Sequence, residues 1–280
     1  MDVTKRQFIK LAAGMGLAGG FSTAAGVGYA WKWEPGNVVA EPRTIRVPSL
    51  PSAFEGFKIA LLSDFHLYPF TTKETIQKAV ALANEFQPDI ALLGGDFVYG
   101  TAHAIVDLAP ILAELNTKKG LFAVLGNHDH RQGAGVVLDG LAQAGIEVLN
   151  NRGLTLQIGS DSIYLAGIDS VSAGSPLPAA AFQNRKKDQT SIVLVHEPDI
   201  IVELVNEVPV DLQLSGHSHG GQVRLPLIGA VMLPDWGQIY SLGLYQVGRA
   251  QVYTTRGIGM IGLPIRVDCP PEVTCITLKS

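Results

Sequence analysis

The chain has 280 residues, of which 47% are hydrophobic and 16% are charged, and this composition is typical of a globular protein with one main core and some additional chain. The 25 acidic and 21 basic residues give a formal net charge of −4 and form no long run of one sign. This balance argues against a protein that captures nucleic acid electrostatically, so we expect no nucleic-acid partner.

Residues 1–30 differ from the rest of the chain. A basic head at 5–10 precedes an uncharged stretch at 11–30 that is rich in Gly and Ala, an order typical of an export signal. The head resembles a twin-arginine motif with Lys5 in place of the first arginine, which predicts export by the twin-arginine machinery to the periplasm or to the periplasmic face of the cytoplasmic membrane. An uncleaved membrane anchor is the alternative, because about twenty apolar residues can span a bilayer.

The next segment, residues 31–54, is rich in prolines, which occur at Pro35, Pro42, Pro48 and Pro51. Prolines at this density predict an extended linker. The globular domain is therefore expected to occupy residues 55–280.

From residue 57 short apolar strands alternate with amphipathic helices. Strands are predicted at 57–62, 89–93, 121–125 and 146–149, and helices at 73–86, 104–115 and 136–144. This alternation indicates crossover units and a partly parallel sheet. Further strands are predicted at 154–158, 163–166, 191–195, 211–214, 251–254 and 273–277. The expected fold is therefore α/β, with two packed sheets flanked by helices.

Polar side chains follow five of these strands at the point where each strand ends. A single Asp at such a position is usually a cap or turn residue, and a single His beside an apolar run is usually part of the core. Five strands that all end this way indicate side chains that converge at one sheet edge, where open α/β folds place ligands. The residues concerned are Asp64, His66, Asp96, Asn127, His128, His196, His217 and His219.

The donor types indicate which ligand these side chains bind. Carboxylate, amide and imidazole groups without a thiolate suit Mn, Fe or Zn better than Ca, which prefers oxygen ligands. Even without His128 these residues supply seven donors, which exceeds what one catalytic ion takes, so two divalent ions are predicted. Asp96 is expected to bridge them, because a strand lies on each side of it in sequence order. A metal pair of this kind suits in-line displacement at phosphorus.

The segments "DFH", "GGDF", "GNHD", "VLVHEP" and "GHSHGG", in this order, resemble the calcineurin-like metallophosphoesterase superfamily. The flanking text "DLQLSGHSHGGQVRLP" and "RGIGMIGLPIRVDCPPEV" resembles its bacterial YaeI/YkuE-like phosphodiesterase branch. The resemblance implies a four-layer fold in which two β-sheets lie between helices. It also implies that His128 protonates the leaving group and that two metal sites share one carboxylate: Asp64, His66, Asp96 and His219 form one, and Asp96, Asn127, His196 and His217 form the other.

The second segment departs from the protein Ser/Thr phosphatases of that superfamily. They carry GDxxDR, whereas residues 95–100 read GDFVYG and so lack the Asp that orients the catalytic His and the Arg that grips the phosphoryl group. This difference argues against a phosphoprotein phosphatase. Asp129 and a backbone carbonyl both stay open as the group that orients His128. The candidates for substrate contact are Arg131, Arg224 and Arg256.

The expected activity is hydrolysis of a phosphodiester or pyrophosphate bond. Some relatives cleave UDP-diacylglucosamine, which makes a lipid-linked, membrane-associated substrate a candidate beside other small-molecule phosphoesters. The apolar residues in 231–236 and 258–263 are candidate contacts for it, although ordinary packing explains them equally well. A phosphomonoesterase and a non-catalytic metal-binding module of the same fold are the alternatives. The intact set of metal donors argues against the non-catalytic module.

Overall fold

The structure is a computed structural model and describes residues 28–280, so nearly all of the expected export signal lies outside the described residues. Two six-stranded sheets pack face to face and carry helices on their outer faces, and a two-stranded sheet lies beside them. This arrangement confirms the predicted α/β fold of two sheets between helices. Within residues 28–280 no helix combines the length and the hydropathy that crossing a bilayer needs.

The first sheet contains the strands that come earliest in the chain together with the last one. They are β1 (Val39–Arg46), β2 (Lys58–Leu62), β3 (Ile90–Leu93), β4 (Leu121–Ala123), β5 (Glu147–Val148) and β14 (Glu272–Lys279), in the order β1-β14-β2-β3-β4-β5. Strands β2 to β5 are parallel, and β14 is antiparallel to β2. The connecting helices on the outer face are α1 (Lys73–Phe86), α2 (Ile105–Leu112) and α3 (Asn127–Gln143).

Helix α1 shows how local sequence sets these elements. Its side chains at Ile76, Ala79, Val80 and Ala83 are all buried, which is the spacing that puts them on one helical face. Thr72 caps the first turn by accepting a hydrogen bond from the backbone of Thr75. The helix therefore begins and ends where the sequence predicted.

The second sheet is built from the later strands. They are β6 (Arg152–Ile158), β7 (Asp161–Gly167), β8 (Thr190–Leu194), β9 (Leu212–Ser215), β12 (Gly243–Val247) and β13 (Ala250–Thr254), in the order β12-β13-β9-β8-β7-β6. The strands β7, β8, β9 and β13 are parallel, whereas β6 and β12 each pair with the next strand as hairpins. Short helices α4 (Pro178–Ala181) and α5 (Ile201–Glu207) cover this sheet, and β10 (Arg224–Leu225) pairs with β11 (Gly229–Ala230) in a separate hairpin.

One of the hydrophobic cores lies between the two sheets. Alternate residues of each central strand face the other sheet, because side chains along a strand point to opposite faces. The remaining residues of these strands pack under the helices, so both faces are buried and the strands read as continuous apolar runs. The side chains between the sheets include Ile59, Leu61, Ile90, Leu92, Ile192, Leu194, Leu212 and Leu214.

The linker prediction for residues 31–54 is wrong over the part that forms β1. This strand pairs in parallel with β14 from Val39, opposite Glu272, to Arg46, opposite Lys279. Pro42 is tolerated because β1 is an edge strand, where one side of the backbone has no partner strand to bond.

The residues just before β1 are also packed against the domain. They form the short helical turns Tyr29–Trp33 and Glu34–Gly36. The backbone N–H of Arg266 donates to the carbonyl of Ala30, and the buried Glu34 carboxylate accepts from the backbone N–H of Cys269. This segment is therefore a docked part of the fold.

Candidate metal centre

Seven of the eight residues predicted for the site, all except Asn127, meet at the edge of the molecule where the parallel strands of both sheets end. Their ligand atoms form three groups, in each of which the atoms lie within 4.8 Å of one another, and two of these groups contain Asp96. Asp96 Oδ2 lies 3.4 Å from His66 Nε2 and 3.1 Å from His196 Nε2. The three groups are Asp64, His66 and His219; His66, Asp96 and His128; and Asp96, His196 and His217.

The backbone at this edge adopts a conformation that the sequence pattern did not reveal. Five of the donors have left-handed backbone angles, which cost about 1 kcal/mol each for residues with a side chain. Such strain persists where the surrounding structure fixes it, and it clusters at functional sites. The five are Asp64 (φ 55°), His66 (φ 43°), Asp96 (φ 54°), His217 (φ 68°) and His219 (φ 53°).

Two glycines allow the donor segments to approach this closely. A Cβ atom on Gly126 would lie 2.2 Å from Asp96 Oδ1, and one on Gly216 would lie 2.3 Å from Asp64 Oδ2. Both distances are far below van der Waals contact. Any side chain at either position would therefore displace a carboxylate of the cluster.

Asp129 has a role that the sequence interpretation missed. Its buried carboxylate accepts hydrogen bonds from the backbone N–H groups of Gly126, Asp96 and Phe97, each at 2.8 Å, and of Val98 at 3.3 Å. It thereby caps α3 and fixes the segment that carries Asp96. The signal in the sequence was an acidic residue three positions after the helix cap.

His128 and Asn127 stand at the start of α3, which is interrupted by a kink at Gly133 (φ 135°, ψ 82°) and begins nine residues before the predicted helix start at 136. The backbone N–H of His128 donates to Asp96 Oδ1 at 2.7 Å, and its ring lies 4.9 Å from the ring of His66 in an edge-to-face contact. Tyr99, which sequence analysis did not single out, lies 5.3 Å from the His128 ring. The helix start therefore presents both side chains beside Asp96.

The protonation states of two imidazoles suit metal ligation. Burial lowers the pKa of His66 to about 3 and that of His219 well below its ordinary value, so both rings are neutral. The pKa of Asp96 is well below its usual range because nearby imidazoles, above all that of His196, outweigh the effect of burial. In turn, the negative charges of the carboxylates, that of Asp96 most strongly, outweigh the effect of burial and raise the pKa of His196. The space between His196 and these carboxylates therefore favours a positive charge.

The hydrogen bonds around the cluster also fit divalent ions. His196 Nδ1 donates to the carbonyl of Gly94 at 2.7 Å, and His217 Nε2 donates to that of Asp235 at 2.8 Å. In a neutral ring, each bond leaves the other ring nitrogen with its lone pair available, as in metal-ligating histidines. Asn127 Oδ1 is among the buried atoms of the described residues that lack a hydrogen-bond partner, which is costly unless it binds a ligand.

A cavity of about 710 Å³ opens onto the cluster. One part of its lining, called the polar wall below, carries Asp96, Asn127, His128 and Arg131. Another part, called the apolar wall below, comes from the two segments named above as candidate contacts, through Val231, Met232, Leu233, Pro234, Trp236, Ile261 and Leu263.

Of the three candidate arginines, Arg131 lines this cavity. Arg256 pairs with Glu41 at 2.7 Å and with Glu272 at 2.8 Å. Arg224 donates to the carbonyl of Gly220 at 2.7 Å. These two side chains therefore hold loops in place.

Comparison with known proteins gives the same family that the motifs indicated. The family model described as calcineurin-like phosphoesterase matches residues 57–221. The chain is 36% identical to the uncharacterized metallophosphoesterase YkuE of Bacillus subtilis, over 99% of this chain and 98% of that protein. It is 33% identical to the phosphodiesterase YaeI of Escherichia coli, over 99% of both chains. It is 31% identical to a transmembrane protein with a metallophosphoesterase domain from Danio rerio, over 84% of this chain and 56% of that protein. The chain therefore belongs to the calcineurin-like phosphoesterase family, in the branch that includes YkuE and YaeI.

Proposed function

We propose that this protein is a metal-dependent phosphodiesterase that hydrolyses phosphodiester or pyrophosphate bonds. The observation that carries the proposal is the convergence of three donor groups around Asp96 at one end of the cavity. Two divalent ions, Mn, Fe or Zn, would be held there, one by Asp64, His66, Asp96 and His219 and the other by Asp96, Asn127, His196 and His217. Such ions polarise phosphoryl oxygens and lower the pKa of water.

The protein's own groups position the substrate and move a proton. His128 lines the cavity beside Asp96 and acts as the general acid that protonates the leaving oxygen. Arg131 lies one helical turn further along α3 and lines the same cavity, so its guanidinium binds a phosphoryl oxygen. Asp129 holds the Asp96 segment in place and is a positioning residue.

The charge of the cavity favours a diester over a monoester. Both kinds of ester would meet the two proposed ions, but a monoester dianion needs more cationic side chains besides them than a phosphodiester, which carries one negative charge. Arg131 is the single Arg or Lys among the described residues that line the cavity. The name of the relative YaeI, a phosphodiesterase, supports the same substrate class.

A lipid-linked phosphoester, such as UDP-diacylglucosamine, is the finer part of the proposal. The apolar wall of the cavity supports it, because that wall offers an apolar tail a surface next to the reacting phosphate. A relative named as a transmembrane protein and the signal-like residues 1–30 support a place at a membrane. We accordingly propose export by the twin-arginine machinery to the periplasm or to the periplasmic face of the cytoplasmic membrane.

The test compares esters on Mn²⁺-loaded protein of measured metal content. We expect kcat/KM for bis(p-nitrophenyl) phosphate to exceed that for p-nitrophenyl phosphate by at least about tenfold, the equivalent of one charge-assisted contact of about 1.4 kcal/mol. Chelator-treated protein is the control. A preference for the monoester would instead establish a phosphomonoesterase. Loaded protein that turns over neither ester, nor UDP-diacylglucosamine or other nucleotide diesters, would favour the metal-binding module.

A further inference from the structure

We infer that one face of the molecule, beside the opening of the cavity, rests on a lipid bilayer. This face, here called the aromatic rim, consists of Tyr29, Trp31 and Trp33 together with Leu227 and Ile228 at the tip of the β10–β11 hairpin. The inference deepens the proposed function, on which it rests for the nature of the substrate. It adds the surface through which the bilayer would present that substrate to the cavity.

The rim exposes large apolar side chains that the fold does not use. Trp31 is 56% exposed, Trp33 is 66% exposed and Leu227 is fully exposed. Single exposed hydrophobic residues are normal on a soluble surface, but a group of this size marks an interaction site. Residues 225–234 contain no charged side chain, and Lys32 is the single charge between Tyr29 and Trp33.

Backbone hydrogen bonds bring the two parts of the rim side by side. The N–H of Arg266 donates to the carbonyl of Ala30, and the N–H of Arg224 donates to the carbonyl of Val267, the next residue along that loop. The aromatic turn and the start of the hairpin therefore bond to adjacent residues of one segment, 266–267. This segment joins the two exposed parts of the rim.

The hairpin is also continuous with the wall of the cavity. Val223 and Val231 flank the hairpin, are joined by a backbone hydrogen bond, and both line the cavity. Met232, the next residue, lines the cavity and is exposed. A bilayer that contacts the hairpin tip would therefore lie next to residues that line the cavity.

The composition of the rim and the chain before it favour a bilayer over a protein partner. Residues 11–28 carry no charge and end directly at Tyr29, so the apolar stretch leads into the aromatic turn. Trp and Tyr are enriched at the membrane interface because their rings are amphipathic. A face of this kind lies in the interface plane without crossing the membrane.

The test places a fluorophore at the hairpin tip of the full-length chain. Cys269 and Cys275 are buried, so an environment-sensitive maleimide labels Ile228→Cys selectively, and Val106→Cys on α2, which is 67% exposed, is the matched control. With vesicles of phosphatidylcholine and phosphatidylglycerol, the label at 228 is expected to shift to the blue, brighten several-fold and be quenched by brominated lipid. The label at 106 is expected to stay unchanged.

A second substitution links the signal to the rim. Leu227→Asp in the 228-labelled chain should abolish most of the shift, because a charge at the tip opposes insertion, whereas Val106→Asp in the same chain should not. Equal responses of both labels, or no response of either, would overturn the inference. A shift that depends on protein concentration without vesicles would also overturn it, in favour of a second copy of the chain. The readout requires no turnover, so a failed phosphodiesterase assay does not affect it.

Discussion

The two walls of the cavity are built on different principles. The polar wall carries Asp96, Asn127 and His128, comes from strand ends of the sandwich, and is held by buried hydrogen bonds such as the four that Asp129 accepts. The apolar wall comes from loops outside the two large sheets, around the β10–β11 hairpin. The comparison indicates that the two sheets position the groups that carry out the chemistry, at the polar wall. The loops of the apolar wall are then the part that selects the substrate. Substitutions in the polar wall should therefore reduce metal binding or kcat, whereas substitutions in the apolar wall should raise KM.

The largest effect is expected from Asp96→Ala in the polar wall. Loss of the shared carboxylate removes a donor from two of the three groups, so bound metal should fall from two equivalents to one or none. Diester kcat/KM should drop on the order of 10³-fold, since metal ions contribute several kcal/mol to such reactions. Metal analysis and steady-state kinetics measure both. A variant with full activity would show that Asp96 does not hold the metals.

His128→Ala should separate catalysis from metal binding. His128 is not among the predicted ligands, so metal content should stay at two equivalents while kcat falls on the order of 10²- to 10⁴-fold, the usual contribution of a general acid. A leaving group that needs no protonation should lessen the loss. Loss of metal in this variant would instead make His128 a ligand.

Asp129→Asn tests whether the polar wall depends on its support. The amide keeps the size but turns an NH2 group toward two of the backbone N–H donors, which would destabilise the fold by about 1–3 kcal/mol. Metal affinity should fall about 10- to 100-fold, as for other groups that orient ligands. Chemical denaturation and metal titration measure the two effects. An unchanged metal affinity would mean that the Asp96 segment holds its position without this carboxylate.

The smallest effect is expected in the apolar wall. Met232→Gln preserves length but removes apolar surface, so KM for an octyl p-nitrophenyl phosphodiester should rise about three- to tenfold, given roughly 0.8 kcal/mol per buried methylene. KM for the methyl ester and the metal content should not change. Equal effects on both esters would show that this wall does not contact an apolar tail.

The sequence predicted the central strands and the donors at their ends because both depend on local pattern. Continuous apolar runs followed by Asp, Asn or His are visible in one dimension, and each strand predicted in this way is present within a few residues. The edge strand β1 was missed because Pro42 indicates a linker in the sequence. In the fold, pairing with a distant strand stabilises an edge strand that contains this proline. Its partner, β14, ends one residue before the C-terminus of the chain.

The finer geometry of the site depends on contacts between distant segments. The start of α3 at Asn127 was missed because its first turn is polar and hides the helical pattern. The left-handed backbone of Asp64 and His66 cannot be predicted from their residue types, since Asp and His adopt a positive φ more often than most residues but only at a minority of positions. Tyr99 and the structural ion pairs of Arg256 became visible only when the sheets brought their partners together.

The most direct test of the account is a crystal structure of Mn²⁺-loaded protein with anomalous diffraction data. The account predicts two anomalous peaks about 3.5–4 Å apart with Asp96 between them, one beside Asp64 and His219 and the other beside Asn127, His196 and His217. A single peak, or peaks away from Asp96, would contradict it.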